Sequence, residues 1–452
     1  YDGSSRFIGG KRCGFFPSFS AGWNVSREPF WRDLEHIVNN FKIRGSWGEL
    51  GNCNTTAFYP FYQTMPTGVE NSGWLINGKK PNTASAPGIV SAEMTWETVR
   101  SWNIGFDFGL LNNRLTGSFD YFVRNTLDMI GPAPQLPATL GATVPKVNNA
   151  DMKAWGFEVE VSWRDRIKDF NYGVKFVLSD DQRKVTRYPN EELNRNQWYA
   201  GRMDGLVWGY ETVGIAKTDA EMEAHLASLP NGGQSQLGSK WAAGDIMYKD
   251  LNGDGKISSG DGTLNDLGDL KVVANTQLRF KYGLTLDASW KGFDFSAFFQ
   301  GVGKRDVVVG GPYFWGANGQ GMWQAAAFKD HMDYFRPEDT ESVFGPNVDA
   351  YYPRVIFGGG SSEGGKNTLT QSRYVQNGAY IRLKNLQLGY TLPSTITKKF
   401  AVNSLRVYVS GDNLWTGTKM RVFDPEVLGS TGDAGKAYPL ARVWSVGLNV
   451  NF

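Results

Sequence analysis

The chain has 452 residues, 47 Lys+Arg against 45 Asp+Glu, and a hydrophobic share of 41%. A net charge of 47 − 45 = +2 leaves no basic excess to neutralise phosphates, which argues against a nucleic-acid partner. The hydrophobic share excludes a disordered chain. Only three histidines are present, His36, His225 and His331, which leaves little for His-based metal or acid–base chemistry. Two cysteines exclude a disulfide scaffold and a Cys-rich zinc site. With 55 Gly and 16 Trp, the composition points to many strands and many turns.

The dominant pattern is alternation with period 2. In chain order it marks eleven strands, near 15–25, 41–49, 102–110, 115–125, 155–164, 170–179, 278–290, 293–301, 380–392, 405–413 and 442–452. The clearest sets Leu278, Phe280, Tyr282, Leu284, Leu286, Ala288 and Trp290 against Arg279, Lys281, Gly283, Thr285, Asp287 and Ser289. Tight connectors are expected at 111–114, 165–169 and 291–292, and moderate ones at 26–40 and 393–403. Long segments alternate with them, at roughly 51–95, 126–150, 180–276, 303–373 and 415–441. No apolar helix long enough to cross a bilayer is visible; Val307–Phe328 carries five Gly and reads as a loop.

Tight turns on one side and wide loops on the other predict an all-β fold: a transmembrane, antiparallel, up-and-down β-barrel with long extracellular loops. A sandwich or propeller has shorter strands and lacks this asymmetry. Trp444, Val446, Leu448, Val450 and Phe452 continue the apolar parity to the last residue. An open set of eleven strands would leave backbone groups unpaired in lipid. The start at Tyr1 rather than Met therefore leads us to expect further strands upstream.

Seven segments carry a family resemblance: Tyr1–Phe7 (YDGSSRF), Gly14–Val25, Phe41–Asn52, Trp96–Leu110, Asp250–Ile257 (DLNGDGKI), Tyr380–Pro393 (YIRLKNLQLGYTLP) and Val443–Phe452. In this order the sequence resembles the SusC/RagA-type TonB-dependent transporters of the Gram-negative outer membrane. The resemblance implies that residues 1–452 are the C-terminal half of a 22-stranded barrel, with the plug domain and N-terminal strands absent. It implies import of glycans, or of peptides, energised by TonB–ExbB–ExbD, with a SusD-like surface lipoprotein as lid. The expected surroundings are the remaining half of the barrel, membrane lipid and lipopolysaccharide. The alternative is a secreted or surface β-rich carbohydrate-binding or -degrading protein with a calcium-stabilised loop. A passive porin is a narrower option that the long loops disfavour.

Asp250, Asn252, Asp254, Lys256 (through its carbonyl), Ser258 and Asp261 stand at positions 1, 3, 5, 7, 9 and 12 of a calcium-loop pattern, with Gly255 at the sharp turn. A structural Ca²⁺ (or Mg²⁺) is expected there, weaker than usual because Asp261 replaces Glu. The bland reading is an Asx-rich turn. Gly360-Ser361-Ser362-Glu363-Gly364 fits a nucleophile elbow only formally, since it lies in a Gly-rich loop without a His partner. Gly360 to Lys366 nearly spells a phosphate loop, but Asn367 stands where Ser or Thr is needed. The pair Glu158 and Glu160 projects from one strand into the lumen, where plug or water contact is the expected role, not glycoside hydrolysis. No catalytic residue is assigned and the chain is expected not to be an enzyme.

Among the loop aromatics, Trp198, Trp208, Trp241, Trp315 and Trp323 are candidate stacking faces for sugar rings, against loop packing as the bland reading. Cys13 and Cys53 are the two cysteines of the sequence. If the hairpin of the first two strands pairs Trp23 with Ile43, the index sum is 66, and Cys13 plus Cys53 also sum to 66. The two thiols are then expected opposite one another at the external rim, as a disulfide.

Overall fold

The computed structural model describes residues 1–55, 58–69, 74–85, 87–131, 133, 139, 144–318, 327–356, 362–429 and 436–452. Eleven antiparallel strands form one sheet: β1 (Ser18–Asn24), β2 (Val38–Asn52), β3 (Glu97–Leu110), β4 (Leu115–Ile130), β5 (Asn148–Ile167), β6 (Phe170–Arg187), β7 (Arg279–Trp290), β8 (Phe293–Lys304), β9 (Tyr380–Thr391), β10 (Ser404–Thr418) and β11 (Val443–Asn451). Each pairs with its neighbour in sequence, and β1 and β11 form the two open edges. These are the eleven expected strands, but several are longer: β5 has 20 residues and β6 has 18. At about 3.3 Å per residue such strands outreach a ~30 Å hydrocarbon core. Their polar outer ends lack the alternation that marks the spanning parts.

The registers keep the two parities apart across the sheet. One outward row runs Phe41–Phe108–Gly117–Val161–Phe176–Leu284–Phe299–Leu383–Trp415. The adjacent inward row runs Asn40–Gly109–Thr116–Ser162–Lys175–Thr285–Phe298–Asn385–Asp412. Trp102, Phe106, Phe176, Phe295, Leu388 and Val409 lie exposed on the outward face. A sheet face this apolar needs an apolar solvent. The tight connections follow the turn chemistry: Lys291 and Gly292 both adopt positive φ, 46° and 91°, as a two-residue type I′ hairpin requires.

The long connections gather at the opposite end and fold on each other. Tyr210, Ile246, Tyr248, Ile257, Val307, Phe314, Trp315, Tyr352, Tyr374 and Leu428 share one buried cluster. These residues come from 188–278, 305–379 and 419–442, so three separate loops share a core. Helix α1 (Asp219–Ala227) belongs to this assembly; the Thr218 hydroxyl accepts from Glu221 N at 3.1 Å as its N-cap.

Candidate functional site: the inner wall and its loop cover

The inward face carries charge, and most of that charge is paired. Arg44 on β2 donates to Asp107 on β3 (3.0 Å) and to both carboxylate oxygens of Asp120 on β4 (2.6 Å each). The last contact passes over β3 at Gly105, where an added Cβ would lie 2.5 Å from Asp120 Oδ1 and 2.7 Å from the Phe119 carbonyl. Asp294 on β8 and Arg406 on β10 repeat the arrangement over Gly389. Glycine on the middle strand lets an ion pair span three strands. Glu160 pairs with Lys175 at 2.8 Å, whereas Glu158 forms no ion pair among the described residues. No carboxylate pair is assembled there for acid–base work.

Near the long-loop end, β6, β7 and β8 frame a recess of about 970 Å³, lined by Asp181, Arg183, Lys281, Phe298, Gln300 and Glu426, among others. Its roof is the segment 425–429. Arg305, buried, donates to the carbonyls of Pro425 (2.8 Å), Leu428 (2.6 Å) and Gly429 (2.9 Å). Arg382, also buried, binds Asp424 (2.6 Å) and Glu426 (2.8 Å), and Lys384 binds Glu426 at 2.8 Å. Wall cations therefore pin an external loop down over the inner face.

The loop assembly has a polar node that its sequence did not advertise. Lys366 and Asp245 are fully buried and 3.0 Å apart. Arg354 binds Asp245 through two bonds of 2.7 and 2.8 Å. Asn367 Nδ2 donates to Asp245 at 2.9 Å while its Oδ1 accepts from Ile246 N. Glu363, 3.2 Å from Lys366, is held below the usual carboxylate range by the Ser239 hydroxyl and by Lys366. The near-phosphate-loop residues Lys366 and Asn367 are thus committed to packing; Gly360 and Ser361 lie outside the described residues.

The acidic loop is held by its own amides. Asp250 accepts from Gly253 N (2.6 Å) and Gly255 N (2.9 Å), Asn252 from Asp254 N, and Asp254 from Lys256 N. Ser258 Oγ accepts from Gly260 N. Asp261 turns away, and accepts from Thr263 N at 2.7 Å; the Thr263 contacts hold its carboxyl low. The carboxylate that closes the loop is Asp269, fully buried, which accepts from Leu251 N and Ser258 N at 2.7 Å each. Burial pushes Asp269 up from the ordinary range. Among the described residues no group of three or more His, Cys, Asp or Glu side chains gathers as a cation site. Ile257 is fully buried, and Asn231 binds the Asp254 carbonyl at 2.6 Å, so the loop works as a staple. Asp269 fell outside the twelve-residue pattern, and only its burial reveals its part.

The cysteines correct the disulfide expectation. The register is the expected one, Trp23↔Ile43 and Phe19↔Trp47. The ladder nevertheless stops at Ser18↔Gly48. Proline at 17 has no N–H to continue it, and the Phe16 ring lies over Gly51, where a Cβ would be 2.2 Å away. Cys13 pairs instead with Gly3, and both Cys13 and Cys53 are free thiols.

The expected stacking faces are mostly packed. Trp315 is buried in the loop core. Trp241 packs against the same core and lies 4.5 Å from Lys366 Nζ. Trp198 meets Tyr188 edge to face at 6.1 Å. Trp208 is half-buried in the strand Leu206–Tyr210, its Nε1 enclosed without a hydrogen-bond partner. Trp323 lies outside the described residues.

Three comparisons bear on this arrangement. Residues 1–299 match the family described as TonB dependent receptor-like, beta-barrel. The chain is 27% identical to TonB-dependent receptor P3 of Formosa agariphila, covering all of this chain and 43% of that protein. It is 25% identical to TonB-dependent receptor SusC of Bacteroides thetaiotaomicron, covering all of this chain and 41% of that protein. Among solved structures, a chain of the RagAB peptide transporter superposes with a TM-score of 0.73 at 21% identity, over 99% of this chain and 44% of that one. The chain thus spans less than half the length of these relatives.

Proposed function

Because the chain belongs to the TonB-dependent receptor-like β-barrel family of outer-membrane transporters, we propose that it forms the C-terminal half of a SusC-like importer of oligomeric nutrients. The observation that carries this reading is the recess on the inner wall beneath loops that fold as one body. A barrel of about 22 strands encloses a wide lumen, and a wide lumen leaks unless it is plugged. Import through it needs a plug moved from the periplasm by TonB, and a lid outside. A SusD-like lipoprotein is that lid, in keeping with the SusC relative and the RagAB neighbour. The substrate is a glycan or a peptide, bound by the mixed charges and apolar patches of the recess. The 250–261 loop is a structural staple that Ca²⁺ or Mg²⁺ reinforces through Asp250, Asn252 and Asp254. A secreted lectin or hydrolase would have no use for the outward apolar face.

The test is uptake in cells carrying the intact transporter gene. Labelled oligosaccharide or peptide pools should be depleted from the medium, and depletion should stop when tonB is deleted. Affinity purification of the transporter should bring down a lipoprotein partner. Uptake that persists without TonB would overturn the reading in favour of a passive pore.

A further inference from the structure

We propose that the periplasmic rim between β5 and β10 is a docking surface for anionic phospholipid. Three connections stand side by side there: the tight turns Lys168–Asp169 and Lys291–Gly292 and the longer segment 392–403. Phe170 pairs with Trp290 and Phe293 with Tyr390, which makes these turns neighbours. Thr391 N donates to the Gly292 carbonyl at 2.8 Å and ties two of them directly. The turns carry Lys168, Lys291, Lys398 and Lys399 against the single acid Asp169. All four lysines are exposed or at turn tips, and none forms a salt bridge among the described residues.

On the wall above, Arg44, Lys175 and Arg406 are each paired across strands. The other two short connections are balanced. Val25–Ile37 sets Arg27 and Arg32 against Glu28, Asp33 and Glu35, and Arg114 pairs with Asp165 at 3.2 Å. This arc therefore carries four lysines against one acid. Beside them the outward face ends in a row of exposed rings: Phe170, Trp290 and Phe293, with Phe400 and Ile396 at the tip of the last turn. Lys291 Nζ lies 5.4 Å from the Trp290 ring centroid.

Rings at headgroup depth fix the level of the bilayer, and lysines there extend along them with their ammonium groups in the headgroup layer. An ammonium in that layer favours a lipid of net negative charge over a zwitterionic one, by roughly fivefold per lysine. Short turns lie on the periplasmic side of such barrels, where the leaflet is phospholipid. The occupant is thus a phosphatidylglycerol-class lipid.

The test uses the full-length transporter, delipidated and then offered phosphatidylglycerol and phosphatidylcholine of identical chains in equal amounts. Native mass spectrometry counts what stays bound. The wild type should retain several-fold more phosphatidylglycerol, and 0.5 M salt should weaken the preference. Replacing Lys168, Lys291, Lys398 and Lys399 together by Gln should abolish it, and replacing them by Arg should keep it. Should the fourfold variant fail to fold, Lys398→Gln with Lys399→Gln alone, on an exposed helical turn, should lower the preference. Equal retention of both lipids by the wild type overturns the proposal, as does an undiminished preference in the Gln variants. The readout is independent of nutrient uptake.

Discussion

Leu284→Arg against Thr285→Arg is the sharpest probe of which face meets lipid. Leu284 lies in the outward row between Phe176 and Phe299, and Thr285 in the inward row between Lys175 and Phe298. Leu284 is six residues from Trp290, the rim end of its strand. At about 3.4 Å per residue and a tilt of ~40°, that places it roughly 16 Å above the rim. Half of a ~30 Å core is ~15 Å, so Leu284 stands at the midplane. Arginine there costs about 2–4 kcal/mol. Arginine at 285 reaches the aqueous lumen and should cost less than about 1 kcal/mol. Urea titrations of the full-length protein folded in bilayers measure both. Equal losses for the two variants would refute the assignment of faces.

Gly105→Ala should destabilise by roughly 1–3 kcal/mol, as overpacking does, since its Cβ meets the Phe119 carbonyl at 2.7 Å; the same titration reads it, and an unchanged midpoint would count against the three-strand ion pair. His225 is held below the ordinary imidazole value of 6.5 by burial. Its contribution is therefore fully present above pH 6.5 and is lost as the pH falls through the folded value. Protection factors against hydrogen exchange over 219–234 should fall from pH 7 to 5, and His225→Gln should flatten that dependence. Both cysteines should take a thiol label without reductant; protection of the pair until reductant is added would restore the disulfide. For the 250–261 loop, elemental analysis of the purified transporter should find about one divalent cation lost in Asp250→Ala, and a metal-free wild type would end that proposal.

The wall was legible because lipid and lumen impose opposite demands on alternate residues, and every one of the eleven runs carries that record. The first hairpin's register followed from its hydrophobic pattern, because a slip by one would turn Trp23 and Ile43 inward. What failed was extrapolation past the wall. The index sum of 66 holds to Ser18, where Pro17 ends the ladder and sends Cys13 to Gly3. The loops were opaque for a different reason. Asp245 and Lys366 are separated by 121 positions and meet only in three dimensions. Their roles depend on burial, which no local spacing encodes. Trp241 and Trp315 stayed open between sugar stacking and loop packing because aromatic composition does not distinguish a packed ring from a free one.

The sequential order of the strands divides the molecule into a part that is hard to change and a part that is easy. Each strand docks on its predecessor, so the wall's contacts do not depend on how much chain lies between. A connection as long as 188–278 is ~45 times the length of the two-residue turn at 291–292, between five and six doublings. At about 0.6 kcal/mol per doubling, closing it costs only on the order of 3 kcal/mol more. The loop core repays that from its own burial. The outer segments can therefore change together in length and sequence while the strands and their pairing stay as they are.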